Sequence, residues 1–150
     1  CHVVILGMER LDADACRKLQ EKLSMPVSNF LSSDHNCREI TAVLRQLSML
    51  VTSRYHAEVL SMDAQVPGIA VSMDERLDNL MQEVNLCEHQ LLHADDRELA
   101  LELMRAMDYV YSHLQQIKEK TGCQLVRYQN TLDEMGDFLI SWLLSHGSLS

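Results

Sequence analysis

The residues best suited to chemistry in this 150-residue chain are Ser53, Arg54, Tyr55 and His56, where an apolar run gives way to an amphipathic stretch. A strand that turns into a helix there exposes unpaired backbone N–H groups and the positive end of the helix dipole, which together attract an anion. Arg54 adds a planar guanidinium that holds a carboxylate or phosphate through two parallel hydrogen bonds. His56 supplies an imidazole, a group suited to giving or taking a proton. An anion clamp and an acid-base group two positions apart form a candidate reaction centre, with Ser53 placed to cap the helix.

Other groups compete for attention. His35 follows Asp34 in the polar loop 32–36, which should open on the same edge of the fold. Glu58 lies in the first helical turns after His56, where it orients the imidazole, serves as a base, or simply complements the helix N-terminus. His89 and His93 are spaced as metal ligands on a helix would be, but residues 89–93 read as strand or loop. In such a segment the two imidazoles do not align, so no metal site is expected. Gly7 and Gly68 stand alone, and no glycine-rich phosphate loop is present.

The elements that must position these groups alternate. Residues 2–7 form a continuous β-branched apolar run, as expected of a central strand buried on both faces. A helix over 14–23, a strand over 27–31, a helix carrying Ile40, Val43 and Leu44, and a short strand over 49–52 follow. Ala57, Leu60 and Ser61 face inward from the next helix, and the strand 68–72 leads to a helix with Leu77, Leu80, Met81 and Val84. Strands alternating with helices of this length predict βαβ units, an α/β fold with a doubly wound parallel sheet, and ligands at the C-terminal strand ends. Beyond residue 94 the pattern predicts two long helices packing on the same domain. The first is capped by Asp95 or Asp96 and closes near Gly122; the second carries Tyr128, Leu132, Met135, Leu139 and Trp142. The expected division is thus 1–94 for the α/β core and 95–150 for a helical extension.

Bulk properties narrow the function. A net charge of −9, from 22 acidic against 13 basic residues, repels a phosphate backbone, so nucleic acid is not an expected partner. The five cysteines contain no C-x-x-C pair and suit free thiols in a reducing compartment. No apolar run approaches the roughly 18 to 20 residues of a membrane span, and no basic leader precedes one. The chain opens at Cys1 without an initiator methionine and reads as a fragment of something longer.

Residues 50–57 (Leu-Val-Thr-Ser-Arg-Tyr-His-Ala), then 65–72 (Gln-Val-Pro-Gly-Ile-Ala-Val-Ser), then Asp74, Glu75 and Arg76, resemble the polysaccharide pyruvyl transferase family. Its pattern runs apolar strand, S-R-x-H-A, helix, V-P-x-I-x-I-S, Y-D-x-K. Weaker similarity at residues 3–8 and Asp12 extends the likeness to residues 2–86. Met73 stands in place of the family's tyrosine and Arg76 in place of its lysine, which keeps the charge but not the compact ammonium.

The resemblance implies the C-terminal, Rossmann-like half of a two-domain GT-B enzyme, with the missing N-terminal domain facing it across the active-site cleft. It implies transfer of the enolpyruvyl unit of phosphoenolpyruvate, a donor substrate rather than a cofactor, onto two hydroxyls of a saccharide as a ketal. Arg54 and His56 would then be the catalytic pair, with Ser53, Arg76 and His35 assisting substrate binding. Such an enzyme would be cytoplasmic, at most peripheral to the inner membrane face, and the isolated half would turn over little. Two alternatives stay open: a GT-B glycosyltransferase or epimerase whose helix N-terminus holds a sugar nucleotide's diphosphate, and a non-catalytic module that forms homo-oligomers through its C-terminal helices.

Overall fold

The computed structural model describes residues 2–146. In chain order the elements are β1 (Val3–Gly7), a 3-10 turn (Arg10–Asp12), α1 (Ala13–Lys22), β2 (Val27–Leu31), α2 (Cys37–Leu44), β3 (Leu50–Thr52) and α3 (Tyr55–Asp63). Then come β4 (Gly68–Ser72), α4 (Glu75–Glu83), α5 (Cys87–Gln90), β5 (Leu91–His93), α6 (Leu99–Ser112) and α7 (Leu114–His146). The protein is a mixed α/β structure whose strand pairs all run parallel.

Hydrogen bonding divides the strands differently from expectation. Instead of one sheet there are, among the described residues, two small ones, β1-β2 and β3-β4-β5. β1, expected at the centre, pairs only with β2, Val3 lying opposite Val27. Between β1 and β3 lies a cleft of about 930 Å³ lined by Val3, Val4, Met49, Val51, Met107 and Tyr111 among others.

Helix ends follow local chemistry. Asn36 opens α2 with a reciprocal cap, its side chain accepting from the Glu39 N–H while the Glu39 carboxylate accepts from the Asn36 N–H. Asp74 caps α4 by accepting from the N–H groups of Arg76 and Leu77. α3 and α4 end alike, on Gln65 and Asn85 in the left-handed region, both with φ 56°. In each, the following residue's N–H reaches back to the last helical turn, Val66 to the Ser61 carbonyl and Leu86 to that of Met81. Val66 and Leu86 are thereby delivered into the core.

β4 is covered on both faces. On one side Ala70 packs with Met62, Leu77, Leu80, Met81 and Val84 from α3 and α4. On the other, Ile69 packs with Ala106 and Val110 of α6 and Ile117 of α7. A third cluster joins Ile40, Leu44, Leu50, Ala57 and Val66 with Leu6 and Met8, so it spans both sheets.

The C-terminal helices differ from their sequence reading. Neither Asp95 nor Asp96 caps α6, which begins at Leu99; the Asp96 carboxylate instead accepts from the Glu98 N–H in the preceding turn. The break falls at His113, whose Nδ1 lies 2.8 Å from the Tyr109 carbonyl, while Gly122 sits inside α7. Residues 89–93, read as strand or loop, hold the end of α5 and all of β5. α7 has 33 residues, and only Ile117 and Thr121 in it are buried. At roughly 1.5 Å per residue it is about 50 Å long, and its last turns stand clear of the core with Leu132, Phe138 and Trp142 exposed. Among the described residues no helix is long and apolar enough to cross a membrane.

Candidate functional site

The candidate residues stand in the segments that follow β1, β2, β3 and β4. Arg54 is the residue that caps α3, with an extended backbone, and its N–H donates to Thr52 Oγ1 at 3.0 Å. Its Nη2 donates to Asp12 Oδ1, a contact that raises the guanidinium's already high pKa. Its Nη1 lies 3.8 Å from Glu9 Oε1. Asp12 is held in turn, Oδ2 accepting from the N–H groups of Met8 and Glu9, both at 3.0 Å. A guanidinium from the β3-α3 junction is thus fastened to the loop after β1, across the division between the sheets.

Arg76 stands at the start of α4, after β4. Its Nη2 donates to Asp74 Oδ2 at 2.7 Å, and this guanidinium, with the N–H groups of Arg76 and Leu77, holds the Asp74 carboxyl below the usual carboxylate range. Asp74 is the carboxylate bonded to Arg76, as Asp12 is to Arg54. Arg54 follows β3 and Arg76 follows β4, which are neighbouring parallel strands, and both side chains are in contact with solvent.

The remaining predicted site residues are placed as follows. Ser53 is exposed and does not cap α3; the helix begins at Tyr55, which puts Arg54 in the capping position and leaves Ser53 one residue too early. His56 is exposed in the first turn of α3, its ring edge-on to that of Tyr55 with centroids 5.6 Å apart. Among the described residues no hydrogen bond or ion pair joins His56 to Arg54, whose side chain turns toward β1. His35, after β2, has its Nδ1 3.5 Å from Glu39 Oε2 and its ring against Phe30. It shares no polar contact with Arg54, Arg76 or His56 among the described residues.

Glu58 overturns its sequence reading. It neither orients His56 nor complements the helix end in solvent; it is fully buried, and loss of hydration pushes its carboxyl up to about 7. Oε2 has no hydrogen-bond partner. Its carboxylate fills the space above Gly68 where a β-carbon would stand. The Gly68 carbonyl is occupied from elsewhere, by Gln90 Nε2 at 2.6 Å. The available signal was a glycine directly after Pro67 at the start of an otherwise β-branched strand, a place where something packs against backbone.

His89 and His93 do not converge. The first packs at a tilt against Tyr109 with centroids 3.9 Å apart, and the second lies 3.9 Å from Asp78 Oδ1. Among the described residues no group of three potential ligands could hold a metal. A pocket of about 610 Å³ at the ends of β4 and β5 is lined by Ser72, Met73, Asp74, Asp78, His93 and Asp95 among others. Arg54 and His56 do not line it, and its four carboxylates, Asp74, Glu75, Asp78 and Asp95, disfavour an anion.

The class these observations define is a parallel-stranded α/β protein with two arginines and their carboxylate partners at the C-terminal strand ends. Compared with protein-family models, with curated proteins and with solved structures, the chain matches none.

Proposed function

We propose that this chain is the donor-binding half of a polysaccharide pyruvyl transferase-like enzyme, with its strands in the order β2-β1-β3-β4-β5 of a Rossmann-like layer. The observation that carries the reading is the placing of Arg54 and Arg76 just after the adjacent parallel strands β3 and β4, with exposed His56 in the first turn of α3. Guanidinium groups so placed suit the phosphate and carboxylate of phosphoenolpyruvate. His56, protonated, would deliver its proton to the methylene carbon, leaving a cationic centre at C2 beside the carboxylate. A saccharide hydroxyl then adds at C2, phosphate departs, and the second hydroxyl closes the ketal. The acceptor site belongs to a facing domain, and the setting is the cytoplasmic side of a cell envelope.

Hydrogen exchange tests this directly. Phosphoenolpyruvate should slow exchange at residues 52–57, a nucleotide sugar should not, and Arg54→Ala should abolish the effect. Protection by the nucleotide sugar alone would move the assignment to a glycosyltransferase or epimerase. In the complete enzyme, His56→Ala should lower kcat strongly, whereas Arg54→Ala should raise KM and lower kcat together.

One observation favours a second reading, an assembly module. Leu139, Trp142 and Leu143 are about half exposed at the outer end of α7, beside Phe138 and Leu144, which are more so. Apolar groups around all sides of a helix end normally lie against another surface. The double variant Leu139→Asp with Trp142→Glu should convert an associated species into a monomer in sedimentation, with unchanged circular dichroism; a monomeric parent protein would exclude self-assembly.

A further inference from the structure

Along α7 the buried or half-buried positions Ile117, Thr121, Leu125 and Tyr128 recur every three or four residues, so they share one face of the helix. That face packs on the protein's own body, Ile117 against Ile69 and Val110, and Tyr128 against the cluster of Met62, Leu77 and Met81. The same face continues past the body as Leu132, Met135, Leu139 and Trp142, each about half exposed or more. Beside it, nothing lies within 4 Å of the place where a β-carbon on Gly136 would stand. Met135, Gly136, Phe138 and Leu139 are among the residues lining an open groove of about 510 Å³ there.

We propose that this outer face is a self-association seam on which a second copy of the chain docks its own α7, antiparallel, with Leu132 against Trp142 of the other copy and Met135 against its Leu139. This rests on the assembly reading and not on the transferase chemistry. The intervals between the four residues are three, four and three, the same in either direction, so the stripe complements itself when turned about a two-fold axis. Asp133, Glu134 and Asp137 lie on the opposite side of the helix, and Gly136, Phe138 and Leu143 beside the seam carry no charge. Two acidic molecules therefore meet there without carboxylates in contact. The direction follows from the body, which occupies this face up to Tyr128. A parallel partner would have to bring its own body to the same place, whereas in the antiparallel register His146 ends opposite Tyr128, where the other body begins. Leu132, Met135, Phe138, Leu139, Trp142 and Leu143 offer roughly 500 Å² per copy, the low end for a specific interface, so the dimer should have a Kd of about 1 μM.

Sedimentation of the whole chain tests the seam and its direction together. The wild type should be dimeric at about 100 μM. Leu132→Lys and Trp142→Glu, each alone, should weaken the dimer at least about a hundredfold, because a lone charge is then desolvated in the seam. An equimolar mixture of the two should recover it to within about tenfold of wild type, since the new lysine of one copy meets the new glutamate of the other while the reciprocal layer keeps Leu132 on Trp142. Asp133→Lys, on the far side of α7, should leave the dimer unchanged, and circular dichroism should be the same in every variant. Single variants that remain dimeric, a mixture that stays monomeric, or an Asp133→Lys protein weakened as much as Leu132→Lys would overturn the antiparallel seam and leave self-association standing. A wild type that is monomeric at about 100 μM would overturn both and assign the face to a different domain or protein.

Discussion

Glu58→Gln is expected to flatten the pH dependence of stability. The difference in unfolding free energy between variant and wild type should widen by about 3 kcal/mol from pH 4 to pH 8 in urea titrations. The reason is a carboxyl buried without a partner for Oε2, which keeps its proton up to about pH 7 in the folded protein but only to an ordinary acidic value once unfolded. The folded state therefore binds the proton more tightly. Its contribution is complete below the unfolded value near 4.5 and is lost as pH rises through about 7. Glutamine has nearly the same shape and no charge to desolvate, so it escapes that loss. Parallel stability curves for the two proteins would show that Glu58 finds a partner or water that the fold does not reveal.

Gly68→Ala probes the same spot from the opposite side. The added methyl group would land on both Glu58 carboxylate oxygens, in an enclosed region where neither side chain nor strand has room to retreat. Backbone conformation is no obstacle, since no glycine has positive φ among the described residues. Overpacking alone should therefore cost about 3 kcal/mol or prevent folding. Glu58→Ala should fold, and adding Gly68→Ala to it should cost less than about 1 kcal/mol, giving a large favourable coupling in a double-mutant cycle. If Gly68→Ala were equally harmful in both backgrounds, the defect would lie in the strand and not in the carboxylate above it.

Much of the element order was legible because period and punctuation agree. The β-branched runs at β1 and β4, the Asn36 and Asp74 caps, and the apolar spacing of α4 each point to one structure. β5 has three residues and α5 four, too short for either period to register. Gly122 misled because a glycine lowers helix stability without ending a helix that packing holds, and α3 and α4 end on Gln65 and Asn85 instead of glycine. At the candidate site, Arg54 could be singled out by type and position and Arg76 through the family resemblance. The partner of Arg54 could not: Asp12 is 42 residues away, and contacts across such a separation leave no local pattern. Glu58 was misread for a related reason, since a glutamate early in a helix is solvated in most proteins and only tertiary packing encloses this one.

The unpaired facing edges of β1 and β3 carry a cost in solution. Among the described residues neither edge is paired with another strand, and apolar side chains of both line the cleft between them, so a strand from another molecule can add there. At neutral pH the excess negative charge keeps molecules apart. Close to the isoelectric point of about 5.1 that protection vanishes, and turbidity should rise there before the protein has unfolded.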